Sequence, residues 1–220
     1  MKSFLIGAAT SNSGKTTFTM GLLRALRNRG LMVQPFKCGP DYIDTIFHHI
    51  ASGSESVNLD SFLSSEQHVR EIFSEYSAGA DIAVVEGVMG LFDGYDKWKG
   101  SSAEIALAIN APVILVVNAK SVAYSVAPLI YGFSRFNPRL KIAGVVFNNV
   151  ASQNHFSFLQ SACRDAGCEC LGYMTRIPEL EIPGRHLGLT ISEKENMERI
   201  ICIAAKEIEA HFDIDKLLAL

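Results

Sequence analysis

The stretch Ser3-Phe4-Leu5-Ile6-Gly7-Ala8-Ala9-Thr10-Ser11-Asn12-Ser13-Gly14-Lys15-Thr16-Thr17 decides the fold. Its apolar start, Ser3 to Ala8, reads as a strand. A run of small residues follows. From about Lys15 to Arg29 the pattern is helical, with Asn28 and Gly30 as a stop signal. A loop between a strand and a helix N-terminus turns backbone N–H groups, and the positive end of the helix dipole, toward one point where an anion gains most. Lys15 adds a charge for phosphates and Thr16 a hydroxyl for a magnesium ion. Asn12, Ser13, Gly14, Lys15, Thr16 and Thr17 are therefore the candidate residues for a nucleotide's phosphates. Ala9 stands where the usual pattern has its first glycine, and Asn12 tolerates the left-handed backbone that another glycine would supply.

Working outward, apolar runs alternate with amphipathic ones along the whole chain. Strands are expected at Leu31–Phe36, Asp81–Glu86, Pro112–Asn118, Lys141–Phe147 and Glu169–Met174. Helices are expected at Tyr42–Ala51, Ser65–Ala78 (capped by Ser64 or Ser65), Ser102–Ile109, Val122–Phe136, Gln153–Ala166 and Glu193–His211. Apolar strands that each lead into a helix predict an α/β fold: a mostly parallel, doubly wound sheet with helices on both faces and right-handed crossovers. The length of 220 residues suits one such domain, residues 1–220, better than two small cores.

In such sheets ligands bind at the carboxyl ends of the strands, and further chemistry-bearing residues fall there. Glu86 closes the run Asp81–Glu86, where an acid can hold magnesium directly or through water. Val88–Gly100 reads as a long functional loop; three glycines in the eight residues from Gly87 to Gly94 let backbone approach a ligand, and Asp93 adds a second acid. Phe36-Lys37-Cys38-Gly39-Pro40-Asp41-Tyr42-Ile43-Asp44 follows the second strand. Lys37 is placed to hold an anionic substrate or transition state, and Asp41 and Asp44 bracket a turn around Tyr42. With Lys37 they make three charges near the phosphate loop, which suggests a reaction centre; turn and helix-cap chemistry is the plainer reading of the acidic pair.

Composition excludes several classes. A net charge of −3, from 20 Lys+Arg against 23 Asp+Glu, argues against broad nucleic-acid binding. No apolar run reaches membrane-spanning length, and the opening Phe4–Ala9 is too short for a signal peptide, so a cytoplasmic location is expected. The five cysteines are scattered without the paired spacing of a zinc site.

The strings FKCGPDYIDT, then His48-His49, then Asn58-Leu59-Asp60, together with VVEGVMGLFDG and Pro183-Gly184-Arg185-His186-Leu187-Gly188-Leu189, resemble the cobyrinic acid a,c-diamide synthase family from about Ile6 to Leu189. The resemblance implies a dethiobiotin synthetase-like phosphate-loop fold. It also implies ATP-dependent amidation of the a and c acetate side chains of a corrin-ring acid, with ATP and Mg2+ required. Carried over, the phosphate-loop lysine and threonine fall on Lys15 and Thr16. The magnesium-associated acids fall on Asp41 and Glu86, with Thr16 completing the metal set. Substrate placement and amidation fall on Tyr42 and Asp93, and adenine reading on Asn148 or Asn149. Lys97, Lys99 and Arg185 are candidates for the substrate's carboxylates. Complete members carry a C-terminal glutaminase domain. Here the chain stops at Leu220, so a truncated form or a stand-alone synthetase half using free ammonia is expected, and a homodimer is left open. Among other ligases of the class, FKCGPDYID argues against dethiobiotin synthetase but not against a nickel-sirohydrochlorin a,c-diamide synthase, which is the alternative. A regulatory ATPase of the same fold usually has a lysine early in the loop, where this chain has Ala8-Ala9-Thr10.

Overall fold

Alternation along the first strand sorts the whole molecule. The computed structural model describes residues 2–180 and 191–220, with side chains of the second stretch from 194 onward. In β1 (Lys2–Ala8), Phe4, Ile6 and Ala8 join one core cluster and Leu5 the other. In β4 (Ile82–Glu86), Ile82 and Val84 join the first cluster, and Ala83 and Val85 the second. This period of two is what a sheet buried on both faces requires. Each fully buried large apolar side chain contributes about 1.5–3 kcal/mol.

The first face is covered by α1 (Lys15–Asn28), α2 (Asp44–Ser52), α7 (Ile191–His211) and α8 (Ile214–Ala219). The second is covered by α3 (Glu66–Ser77), α4 (Ser102–Ala108), α5 (Val126–Arg135) and α6 (Gln153–Asp165). The remaining strands are β2 (Val33–Cys38), β3 (Val57–Leu59), β5 (Val113–Asn118), β6 (Ile142–Val150) and β7 (Cys170–Thr175). Among the described residues they form one seven-stranded sheet in the order β3-β2-β4-β1-β5-β6-β7, and every pairing is parallel. The expected parallel α/β sheet with helices on both faces is present. No helix among the described residues is long and apolar enough to cross a membrane.

Several expected boundaries move. The helix expected from Tyr42 begins at Asp44; Asp41 Oδ1 accepts the Ile43 and Asp44 amides and fixes the turn that leads into it. The helix expected from Val122 begins at Val126, since Ser121 has a positive φ of 61° and the chain turns there; Pro128 then lies in the first turn, where a missing N–H costs nothing. β6 runs on through Asn148 and Asn149 to Val150. β3 and α8 were not expected.

Two contacts fix α1 against its neighbours. A Cβ on Gly21 would sit 2.9 Å from the Ala204 carbonyl carbon, so glycine lets α7 lie directly on α1. Arg24 donates to both Glu198 oxygens on α7, at 2.5 and 2.9 Å, and to the Ala51 and Ile50 carbonyls at the end of α2, at 3.0 and 2.8 Å.

Candidate active site

Register places the central pair. Lys37 of β2 is the partner of Glu86 on β4, and Glu86 is the partner of Ile6 on β1. Paired residues share a sheet face. Lys37 and Glu86 therefore both point toward α1 and α2, at the carboxyl ends of their strands, and both are buried.

Around them the side chains close into one network. Lys37 Nζ donates to Asp44 Oδ2 at 2.6 Å, to Glu86 Oε1 at 2.9 Å and to the Gly87 carbonyl at 3.3 Å. Thr16 Oγ1, one residue beyond the phosphate-loop lysine, donates to Glu86 Oε1 at 2.7 Å and lies 3.4 Å from Asp44 Oδ2. His48 Nε2 is 2.6 Å from Glu86 Oε2. Asp41 Oδ2 stands 3.9 Å from Lys37 Nζ.

Electrostatics follow from this packing. Burial opposes ionisation of Glu86, but the Lys37 charge and the bonds from His48 and Thr16 outweigh it and hold its carboxyl far below the usual range. Burial likewise opposes the Lys37 charge, and Glu86 and Asp44 outweigh it, so the ammonium stays charged. Asp44 is pushed up by burial and by the neighbouring Glu86 charge, against the pull of Lys37. Asp41 is held low: burial raises it, but the two amide bonds and Lys37 lower it further. Cys38, next to Lys37, is buried, and burial pushes its thiol up to about 12.

The phosphate loop has the conformation its residues suggest. Asn12 and Gly14 have positive φ, 59° and 92°. Ser13 Oγ donates to the Thr10 carbonyl at 2.7 Å, folding the loop on itself. Lys15 Nζ donates to the Met89 carbonyl in the glycine-rich loop. Asn148 Nδ2 donates to the Ser13 carbonyl at 3.0 Å, and a Cβ on Gly14 would lie 2.0 Å from that same nitrogen. The glycine is required both by its φ and by the close asparagine. Asn149, at φ 61°, donates to Asn118 Oδ1 at 3.0 Å. Beside α1, a cavity of about 350 Å3 is lined by Thr17, Asn118, Asn148, Asn149, Arg176 and Pro178, among others.

The sequence-named residues are thus partly gathered. Lys15, Thr16, Lys37 and Glu86 lie around the ends of β1, β2 and β4, with Asp41 at the margin. Tyr42 is 68% exposed. Asp93 is exposed, and its Oδ2 accepts the Gly90 amide at 3.0 Å, closing the turn of the glycine-rich loop. Lys97 and Lys99 are exposed, Lys99 pairing with Asp96 at 3.6 Å. Arg185 and the string from Pro183 to Leu189 lie outside the described residues. Asp44, read as one of three charges around the turn after β2 but given no role of its own, and His48, read only as part of a motif, sit inside the network. Their i,i+4 spacing puts both on one face of α2, and that spacing was the available signal.

The family described as the CobQ/CobB/MinD/ParA nucleotide binding domain matches residues 4–190. The chain belongs to this family. Relatives of this CobQ/CobB/MinD/ParA-type domain include a cobyrinate a,c-diamide synthase of Listeria innocua, 46% identical over 223 residues, which cover 99% of this chain and 49% of the relative. A hydrogenobyrinate a,c-diamide synthase of Brucella ovis is 44% identical over 219 residues, covering 99% of this chain and 50% of the relative. A cobyrinate a,c-diamide synthase of Streptococcus sanguinis is 42% identical over 223 residues, covering 99% and 49%. The chain spans about half the length of the curated relatives it matches. The structure of chloroplast FtsY from Physcomitrella patens superposes with a TM-score of 0.56 at 14% identity, covering 91% of this chain and 65% of that one; this likeness shows the fold alone. The expected likeness to cobyrinic acid a,c-diamide synthases holds over nearly the whole chain.

Proposed function

We propose that this chain is the synthetase part of a cobyrinate- or hydrogenobyrinate-type a,c-diamide synthase, and that it joins ammonia to carboxylates of a corrin-precursor acid at the expense of ATP. The observation that carries this reading is the buried Thr16–Glu86–Lys37–Asp44 network adjoining the phosphate loop, in a chain 42–46% identical to diamide synthases.

In this reading Asn12–Thr17 cradle the triphosphate, and Lys15 turns from the Met89 carbonyl to the phosphates. The cavity between Thr17, Asn149 and Pro178 takes the base. Asn148 Nδ2 is bonded to Ser13 and Asn149 Nδ2 to Asn118, so each amide keeps one hydrogen, and both line the cavity as candidates to read adenine. The donors Thr16 Oγ1, Glu86 Oε1 and Asp44 Oδ2 are hard oxygens, which suits magnesium, and Asp41 completes the acidic rim. Bound there, the ion would offset the phosphates' charge.

A carboxylate is a poor acyl donor. Transfer of the γ-phosphoryl group to it makes an acyl phosphate; ammonia attacks the carbonyl carbon, phosphate leaves, and the ammonium proton lost goes to a base. Lys15 lowers the cost of charge in transfer. All three N–H donors of Lys37 are engaged, so its work is to keep Asp44 and Glu86 ionised and in place. Tyr42 and Asp93, both exposed in the loops that follow β2 and β4, are the candidates to meet the substrate carboxylate and the incoming ammonia. In the longer relatives' form, a second half would supply ammonia from glutamine. A cytoplasmic location and a homodimer fit this reading.

The test is incubation with ATP, magnesium, ammonium and either cobyrinic or hydrogenobyrinic acid, with amides counted by mass spectrometry. Amidation coupled to ATP consumption is expected, and Lys15→Ala should lower it by about 100-fold. Amidation of nickel-sirohydrochlorin alone would shift the substrate, and a wild-type rate in Lys15→Ala would overturn the assignment.

A further inference from the structure

Glu86 has two oxygens, and the reading above uses one. Oε1 faces Thr16 and Lys37. Oε2 is 2.6 Å from His48 Nε2, and neither side chain has any exposure to solvent. An ionised carboxylate only accepts, so the proton lies on His48 Nε2. The other ring nitrogen, Nδ1, is 3.1 Å from Ser56 Oγ, in the segment between α2 and β3. Ser56, His48 and Glu86 thus form a chain of bonds from the partly exposed segment to the cation-facing oxygen. His48 is also fixed from its own helix: its carbonyl accepts Ser52 Oγ at 2.8 Å.

We infer that His48 is a positioning residue that pins Glu86 Oε2, so that Oε1 alone is presented toward the nucleotide's divalent cation, and that Ser56 orients the ring. This rests on the metal–nucleotide part of the reading above. Freed of His48, the carboxylate would rotate, and either oxygen could face Lys37 or withdraw from Thr16. A ring whose second nitrogen is itself bonded cannot swing away, which is how outer partners commonly orient metal-binding side chains.

The experiment measures binding of Mn2+ by electron paramagnetic resonance, in the full chain with ADP present, and separately the binding of ADP without metal. For His48→Ala, Mn2+ binding in the ADP complex should weaken about 10- to 100-fold, the usual range for loss of such a partner. Metal-free ADP binding should stay within about two-fold of wild type, since no phosphate contact is touched. His48→Gln, which can place a side-chain N–H near the same oxygen, should recover most of the loss. Ser56→Ala, at a half-buried position, should weaken Mn2+ by a few-fold in a folded protein and carries the test if His48→Ala does not fold. The inference is overturned if His48→Ala, or in its place Ser56→Ala, binds Mn2+ as wild type does. It is also overturned if ADP alone weakens equally, or if His48→Gln is folded yet no better than His48→Ala. Failure of the wild-type chain to bind Mn2+ with ADP would instead sink the metal–nucleotide reading itself.

Discussion

Replacing Lys37 by methionine isolates the electrostatics of the site. The change keeps the length and most of the volume of the side chain but removes the cation that Asp44 and Glu86 share at 2.6 and 2.9 Å. Both acids have no exposed side-chain surface, so neither can turn to water. Removing one partner of a buried ion pair costs about 3–5 kcal/mol, most of it the stranded charge. In a chain of this size 1 kcal/mol moves the melting temperature by about 2–4 °C, so Lys37→Met should melt roughly 6–20 °C lower at neutral pH. The pH dependence has a defined sign. Glu86 is held below its ordinary value of 4.5, so its stabilising share is full above that pH and fades as pH falls. Lys37 is held above its ordinary 10.5, so its share is full below that pH and fades as pH rises through the folded value. The gap between wild type and variant is therefore widest between pH 4.5 and 10.5 and narrows in acid, where the variant's carboxyls take up protons. Adding Asp44→Asn should return at least about 1 kcal/mol, because the two positions are in contact and their effects do not add. Thermal and urea denaturation at several pH values read all three outcomes. A variant melting within about 2 °C of wild type at pH 7, or a gap that does not change with pH, would refute the shared-cation account.

Three further outcomes can be checked directly. Gly14→Ala should abolish binding of a fluorescent ATP analogue, since its φ of 92° and the Asn148 nitrogen 2.0 Å from the new methyl both oppose it; Asn148→Ala in the same chain should relieve the clash without restoring binding, because the backbone strain stays. Asp41→Ala should lower stability by about 1 kcal/mol through the two amide bonds lost from the turn before α2, a loss present above the ordinary aspartate value of 3.8 and vanishing as pH falls below it, as urea titrations at pH 7 and in acid will show. Arg24→Ala should cost about 2 kcal/mol by leaving the Ile50 and Ala51 carbonyls without their donor, whereas Glu198→Ala, at a half-exposed carboxylate, should cost under about 1 kcal/mol in the same urea assay.

The sheet was legible because its strands are continuous apolar runs and its helices carry their own signals: Ser65, Ser101 and Ser152 each accept the amide three residues on and cap a helix. β3 was not legible. Val57-Asn58-Leu59 is too short to show a period, and only its pairing with Phe36–Cys38 makes it a strand. Asn148 and Asn149 were expected just beyond a strand ending at Phe147 but lie within β6, held there by side-chain bonds to Ser13 and Asn118 that no local pattern announces. The phosphate loop and Glu86 could be read from position alone. The division of labour between Asp41 and Asp44 could not. Both flank one turn, and which of them holds the turn amides and which faces Lys37 depends on the helix starting at Asp44 rather than Tyr42.

The close seating of α7 on α1 has a mechanical meaning. The helix whose first turn presents Lys15 and Thr16 is gripped along its far flank, at Gly21 and Arg24, by the last long helix of the described fold. A change at Ala204 or Glu198, far along the chain from Gly14 and Lys15, therefore bears directly on the helix that carries the phosphate loop at its start.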